Sequence, residues 1–105
     1  MKILIADDES IVREGLKNNI NWQEMNLTVV GCESNGKKAF EVFNRENPDI
    51  ILTDIRMPFM DGLLLTEEVK KIDHSVIVIL LSAYDDFKYA QQAIRLGAFD
   101  YILKP

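Results

Sequence analysis

Cysteine is nearly absent: Cys32 stands alone, so no disulfide can form within the chain, and a reducing, cytoplasmic setting suits it. Long apolar runs are missing too. The longest, Val76 to Leu81, has six residues, far short of the ~20 that a membrane-spanning helix needs. The four apolar residues after Met1-Lys2 are too few for the core of a secretion signal. Positive charge is in deficit, with 12 Lys and Arg against 17 Asp and Glu and a net charge of −5. That speaks against nucleic-acid contact by this segment, because phosphate backbones are neutralised by clustered cations. No glycine-rich phosphate loop of the GxxxxGK kind occurs, so direct nucleotide binding is not expected. The only histidine, His74, lies in a polar segment from Lys71 to Ser75 and reads as a solvated surface residue.

What is present is one domain's worth of core: 105 residues that are 48% hydrophobic. Five short runs rich in Ile, Val and Leu alternate with four stretches of helical period, the pattern of βα units winding a parallel sheet. The strands are expected at Lys2 to Ala6, Leu27 to Cys32, Ile50 to Thr53, Val76 to Leu81 and Phe99 to Leu103. The first helix is expected from about Ser10, a good capping residue, to Asn19 with Val12 and Leu16 on one face. Asn35 caps a second helix with Ala39, Phe40 and Phe43 as its buried stripe. A third follows Gly62 and carries Leu65, Val69 and Ile72. A fourth runs from about Asp86 to Leu96 and stops at Gly97. Val76 to Leu81, apolar throughout, implies a strand buried on both faces. The expected architecture is a doubly wound α/β sheet of flavodoxin-like order 2-1-3-4-5. Right-handed crossovers then put the first helix on one face and three on the other. One helix of ~10 Å diameter cannot cover five strands spaced ~4.8 Å apart. A fifth helix after Pro105 is therefore expected in the natural protein, making residues 1–105 a domain cut short before it. Its loss would bare an apolar face that invites dimerisation.

Asp7, Asp8 and Asp54 follow the last apolar residues of the first and third strands, neighbours at the switch point where open α/β sheets bind ligands. Three clustered carboxylates repel one another, which is tolerated when a cation joins them, and all-oxygen ligation favours Mg²⁺. Ser82 follows the fourth strand and Lys104 the fifth, bringing a hydroxyl donor and an ammonium to the same rim. Together they suit a phosphoryl group bridged to the metal. Asp54 is the candidate nucleophile, Asp7 and Asp8 the ion's holders and Lys104 the counter-charge. The small Ala83 leaves room for the phosphoryl group.

The segments Asp7-Asp8-Glu9, Asp54-Ile55-Arg56-Met57-Pro58 with Asp61-Gly62, Ser82-Ala83 and Lys104-Pro105, in this order along the whole chain, resemble the receiver domain of bacterial two-component response regulators. The resemblance implies a sensor histidine kinase that supplies the phosphoryl group from a phosphohistidine, and a receiver that catalyses only its own phosphorylation and dephosphorylation. It further implies a metal ligand in the Arg56 backbone carbonyl, a cis peptide before Pro105, and a switch in which the Ser82 hydroxyl moves toward the phosphoryl group while the Tyr101 ring swings inward. Arg56 and Tyr84 fall where the family tunes phosphoryl lifetime. The segments Asn21-Trp22-Gln23-Glu24 and Ser82 through Ala90 are similar to the subgroup fused to AraC-type helix-turn-helix domains, which implies transcription regulation by a linked output domain.

Two other function classes compete. A Mg²⁺-dependent phosphohydrolase with an aspartyl-phosphate needs a second acid two residues beyond its nucleophile, and Arg56 stands there. A degenerate receiver serving only as an interaction module is expected to have lost an acid or the lysine, and all are present. Tyr101 alone reads equally well as a strand aromatic on the core edge. Met57, Phe59 and Met60 are either loop packing or a docking surface, and Trp22 reads as a staple under the first loop.

Overall fold

The computed structural model describes residues 1–83 and 87–104. Tyr84, the expected helix start at Asp86, and the peptide before Pro105 fall outside the described residues. Five parallel strands, β1 (Lys2–Ala6), β2 (Thr28–Glu33), β3 (Ile50–Asp54), β4 (Ile77–Ser82) and β5 (Asp100–Leu103), form one sheet in the order β2-β1-β3-β4-β5. Four helices connect them: α1 (Ser10–Asn19), α2 (Gly36–Glu46), α3 (Gly62–Ile72) and α4 (Phe87–Arg95). The expected sheet order is the observed one.

Strand side chains alternate between faces, and that period divides the core in two. Leu4, Ala6, Ile51, Val78 and Leu80 point to the face covered by α2, α3 and α4, packing with Ala39, Val42, Phe43, Leu65, Val69, Ala90 and Ala93. Ile3, Ile5, Leu52 and Leu81 point to the opposite face, against Leu16, Trp22 and Leu27. Trp22, in a short 3₁₀ turn (Trp22–Met25), donates its indole N–H to the Leu16 carbonyl at 3.0 Å and staples the turn under α1, as expected.

The second face is thinly covered. No residue of α1 is buried, and Ile77 and Ile79 of β4 are only half-buried. The expectation of a strand buried on both faces is corrected: on the α1 side Leu81 is buried but Ile77 and Ile79 are not fully covered, because a single helix lies over five strands. A groove of about 940 Å³ results, lined by Ile11, Leu16, Trp22, Ile79, Leu81 and Leu103.

Local chemistry accounts for most boundaries. The Asn35 and Asp61 side chains each accept from the third residue of their helices, Lys38 N and Leu64 N, at 2.9 Å. Gly97, at φ 111°, stops α4 in a conformation that L side chains avoid. The cap of α1 differs from expectation: Glu9, not Ser10, occupies it, and its side chain makes no capping bond. The β2 strand begins one residue later than expected, at Thr28, and its register against β1 slips between Ile3 and Leu4, where Ile3 faces Val29 and Leu4 faces Gly31. Asp54 closes β3 as its last paired residue, opposite Leu81, where the expected strand stopped at Thr53.

The start of α3 lies against the end of β3. A Cβ on Gly62 would sit 2.3 Å from the Asp54 carbonyl oxygen, while one on Gly15 would meet only Asn19 Nδ2, at 3.8 Å. Gly62→Ala should therefore cost about 1–3 kcal/mol, whereas Gly15→Ala should stabilise by about 0.5–1 kcal/mol through helix propensity. Urea unfolding of the two variants checks the contrast, and equal midpoints would refute the close packing.

Candidate functional site

The parallel sheet delivers the ends of β1, β3, β4 and β5 to one rim, and ladder hydrogen bonds fix each residue that follows. Asp7 N donates to the Glu33 carbonyl at 3.0 Å, continuing the β1–β2 ladder, and Lys104 N donates to the Ser82 carbonyl at 2.8 Å, continuing the β4–β5 ladder. Asp54 Oδ1 accepts from the Ile55 amide at 2.8 Å, which sets the rotamer of its carboxyl. Its other oxygen is left to face the site.

There the acids meet a cation. Lys104 Nζ lies 3.0 Å from Asp7 Oδ2, 3.1 Å from Asp54 Oδ2 and 2.9 Å from Glu9 Oε1. Asp7 is fully buried and Asp54 nearly so, and Asp7 Oδ2 has no hydrogen bond. One ligand atom from each of Asp7, Asp8, Glu9 and Asp54 can be chosen so that all lie within 4.8 Å of one another. Burial, then the Asp7 charge, push the Asp54 carboxyl up to about 7, against the opposing pull of Lys104. Burial works against the Lys104 charge, but Glu9, Asp7 and Asp54 outweigh it and hold the ammonium above its ordinary range. A buried carboxylate oxygen that meets an ammonium but makes no directed hydrogen bond, beside three further acids, is a donor set fitted to a hard divalent cation.

The remaining sequence candidates are placed unevenly. Ser82 is fully buried and its Oγ donates to the Ala83 carbonyl at 3.0 Å, turned to the backbone. Ala83 is half-buried beside it. Tyr101 is half-buried on β5 and packs against the core edge. The Arg56 side chain is exposed, with its guanidinium 5.2 Å over the Tyr89 ring of α4. The three loop apolar residues separate: Met57 is buried, with its sulfur accepting from Thr53 Oγ1 at 3.8 Å, Met60 packs on the core, and Phe59 is 85% exposed at φ 69°. Glu9 is the site residue that sequence reasoning left without a role. Its signal was its position, a poor capping residue next to an acid pair.

Residues 3–105 match the response regulator receiver domain family. The chain belongs to that family. Over 104 residues it is 40% identical to the uncharacterized transcriptional regulatory protein YesN of Bacillus subtilis, covering 99% of this chain and 28% of that protein. It is 38% identical to the transcriptional regulatory protein HptR of Staphylococcus aureus, covering 99% of this chain and 40% of that protein. The receiver thus spans less than half the length of these curated relatives. Among solved structures, the REC domain of AraT, a response regulator from Geobacillus stearothermophilus, superposes with a TM-score of 0.93 at 44% identity, covering 99% of this chain and 81% of that one. A receiver domain protein from Clostridium thermocellum gives a TM-score of 0.86 at 32% identity, over 99% of this chain and 82% of that one. Among the described residues no helix is long and apolar enough to cross a membrane.

The raised Asp54 value fixes a pH dependence. An unfolded aspartate ionises near ~3.9, so between there and about 7 the folded chain holds a proton that the unfolded chain has released. Stability therefore falls as pH rises through that window. Without divalent cations, Asp54→Asn should melt about 4–8 °C above the parent at pH 8, and the gap should close toward pH 4. Thermal unfolding at the two pH values checks this. A gap that is constant with pH would contradict it.

Proposed function

We propose that the chain is a phosphorylation-driven switch that accepts a phosphoryl group on Asp54 from the phosphohistidine of a sensor histidine kinase. The observation that carries this reading is the convergence of Asp54, Asp7 and the Lys104 ammonium within 3.0–3.1 Å at the rim of the sheet. Asp7, Asp8, Asp54 and the Arg56 backbone carbonyl would hold Mg²⁺. When bound, the ion supplies positive charge that keeps Asp54 ionised and neutralises the equatorial phosphoryl oxygens.

The Ile55 amide holds one carboxylate oxygen of Asp54 and so orients the group for in-line attack on phosphorus. As the new oxygen–phosphorus bond forms, the donor's nitrogen–phosphorus bond breaks and its electron pair stays on the imidazole nitrogen. Lys104 offsets the charge that arrives with the phosphoryl group. Ser82 then turns its hydroxyl from the Ala83 carbonyl to a phosphoryl oxygen, and Tyr101 swings inward into the space this leaves. Ala83 keeps the approach open, while Arg56 and Tyr84 set how readily water reaches the acyl phosphate. The change passes to a covalently linked output domain, of AraC helix-turn-helix type, that regulates transcription. Support for that last step is the relatives' greater length and their description as transcriptional regulatory proteins.

Incubation with acetyl phosphate and Mg²⁺ should give a single phosphoryl adduct by intact mass. The adduct should be absent from Asp54→Asn and from a sample with EDTA. A folded parent that takes no adduct would instead favour a phosphorylation-independent interaction module.

A further inference from the structure

Glu9 caps α1 in position but not in chemistry. A side-chain acceptor at that position ordinarily takes one of the first free amides of the helix, yet the Glu9 carboxylate takes none. It reaches instead to Lys104 Nζ, 2.9 Å away and 95 positions along the chain. Asp7 and Asp54 approach the same ammonium at 3.0 and 3.1 Å. Among the described residues, however, only the Glu9 contact is directed well enough to be a hydrogen bond. The side chain that is to receive a phosphoryl oxygen is thus already committed.

A lysine has three N–H donors and no acceptor, and here three carboxylates surround the ammonium within 3.1 Å. New anionic oxygens on Asp54 take over its own contact and compete with the other two for the ammonium. Asp7 is the costly one to release, since its Oδ2 is buried with no hydrogen bond of its own. The Glu9 side chain is 61% exposed, so water replaces the ammonium there at little cost. We infer that Glu9 is a positioning residue that clips Lys104 in the unphosphorylated protein and is exchanged for a phosphoryl oxygen when Asp54 is modified. This rests on the phosphoacceptor reading above. Because the clip stabilises only the unmodified state, weakening it favours the modified one.

Two variants separate a clip from general charge repulsion. Glu9→Gln removes the charge, whereas Glu9→Asp keeps it on a side chain one methylene shorter than the one that reaches Lys104, and aspartate is a good helix cap. Affinity for beryllofluoride, a phosphoryl mimic, is measured by calorimetry at saturating Mg²⁺. Both variants should bind it about two- to fivefold more tightly than the parent, the range of an exposed ion pair. Before any ligand is added, the Lys104 ammonium resonance, assigned by its loss in Lys104→Arg, should shift in both variants. Parent-like affinity in Glu9→Asp, weaker binding in either variant, or an unmoved Lys104 resonance would overturn the clip while leaving the phosphoacceptor reading standing. A parent that binds no beryllofluoride would sink that reading, and the exchange with it.

Discussion

Like charges at one point of a sheet rim set the terms for everything else in this molecule. Asp7 and Asp54 are both buried, and their mutual repulsion is balanced by one ammonium, Lys104, contributed by the far end of the chain. Burial first, and then the Asp7 charge that this one ammonium does not fully offset, drive the Asp54 carboxyl up to about 7. The site is therefore strained toward taking up positive charge, and a site in that condition is primed for a cation and for the anion that a cation brings. The family's chemistry needs little more than this.

The parallel sheet makes such an arrangement affordable. Its strands all point the same way, so residues far apart in sequence arrive at one edge with their backbones already satisfied by ladder bonds, as Asp7 is by Glu33 and Lys104 by Ser82. Side-chain direction is then decided by register. The alternation that sends Ile51 to one face and Leu52 to the other carries on to the buried Thr53 and Asp54.

Much of this is legible in the linear sequence because it follows from short-range rules. Five apolar runs, the cap at Asn35 and the stop at Gly97 are local signals, and the switch point follows from handedness alone. What was not legible depended on partners distant in sequence. Glu9 looks like a residue preceding a good cap, and nothing near it announces that its carboxylate is spent on Lys104. The register slip opposite Ile3 and Leu4 depends on how β2 meets β1. The half-open side of β4 depends on how little α1 can cover. Periodicity sees one segment at a time, and each of these is a property of two.

The close seating of Gly62 on the Asp54 carbonyl oxygen has a mechanical meaning. With no slack between the end of β3 and the first turn of α3, that helix acts as an abutment for Asp54. A push at Asp54 cannot be absorbed by its own strand end sliding toward α3. Any displacement there would have to run sideways across the sheet, toward Ser82 at the end of β4 and the half-buried Tyr101 of β5. One missing methyl group thereby decides how closely α3 can brace the end of β3.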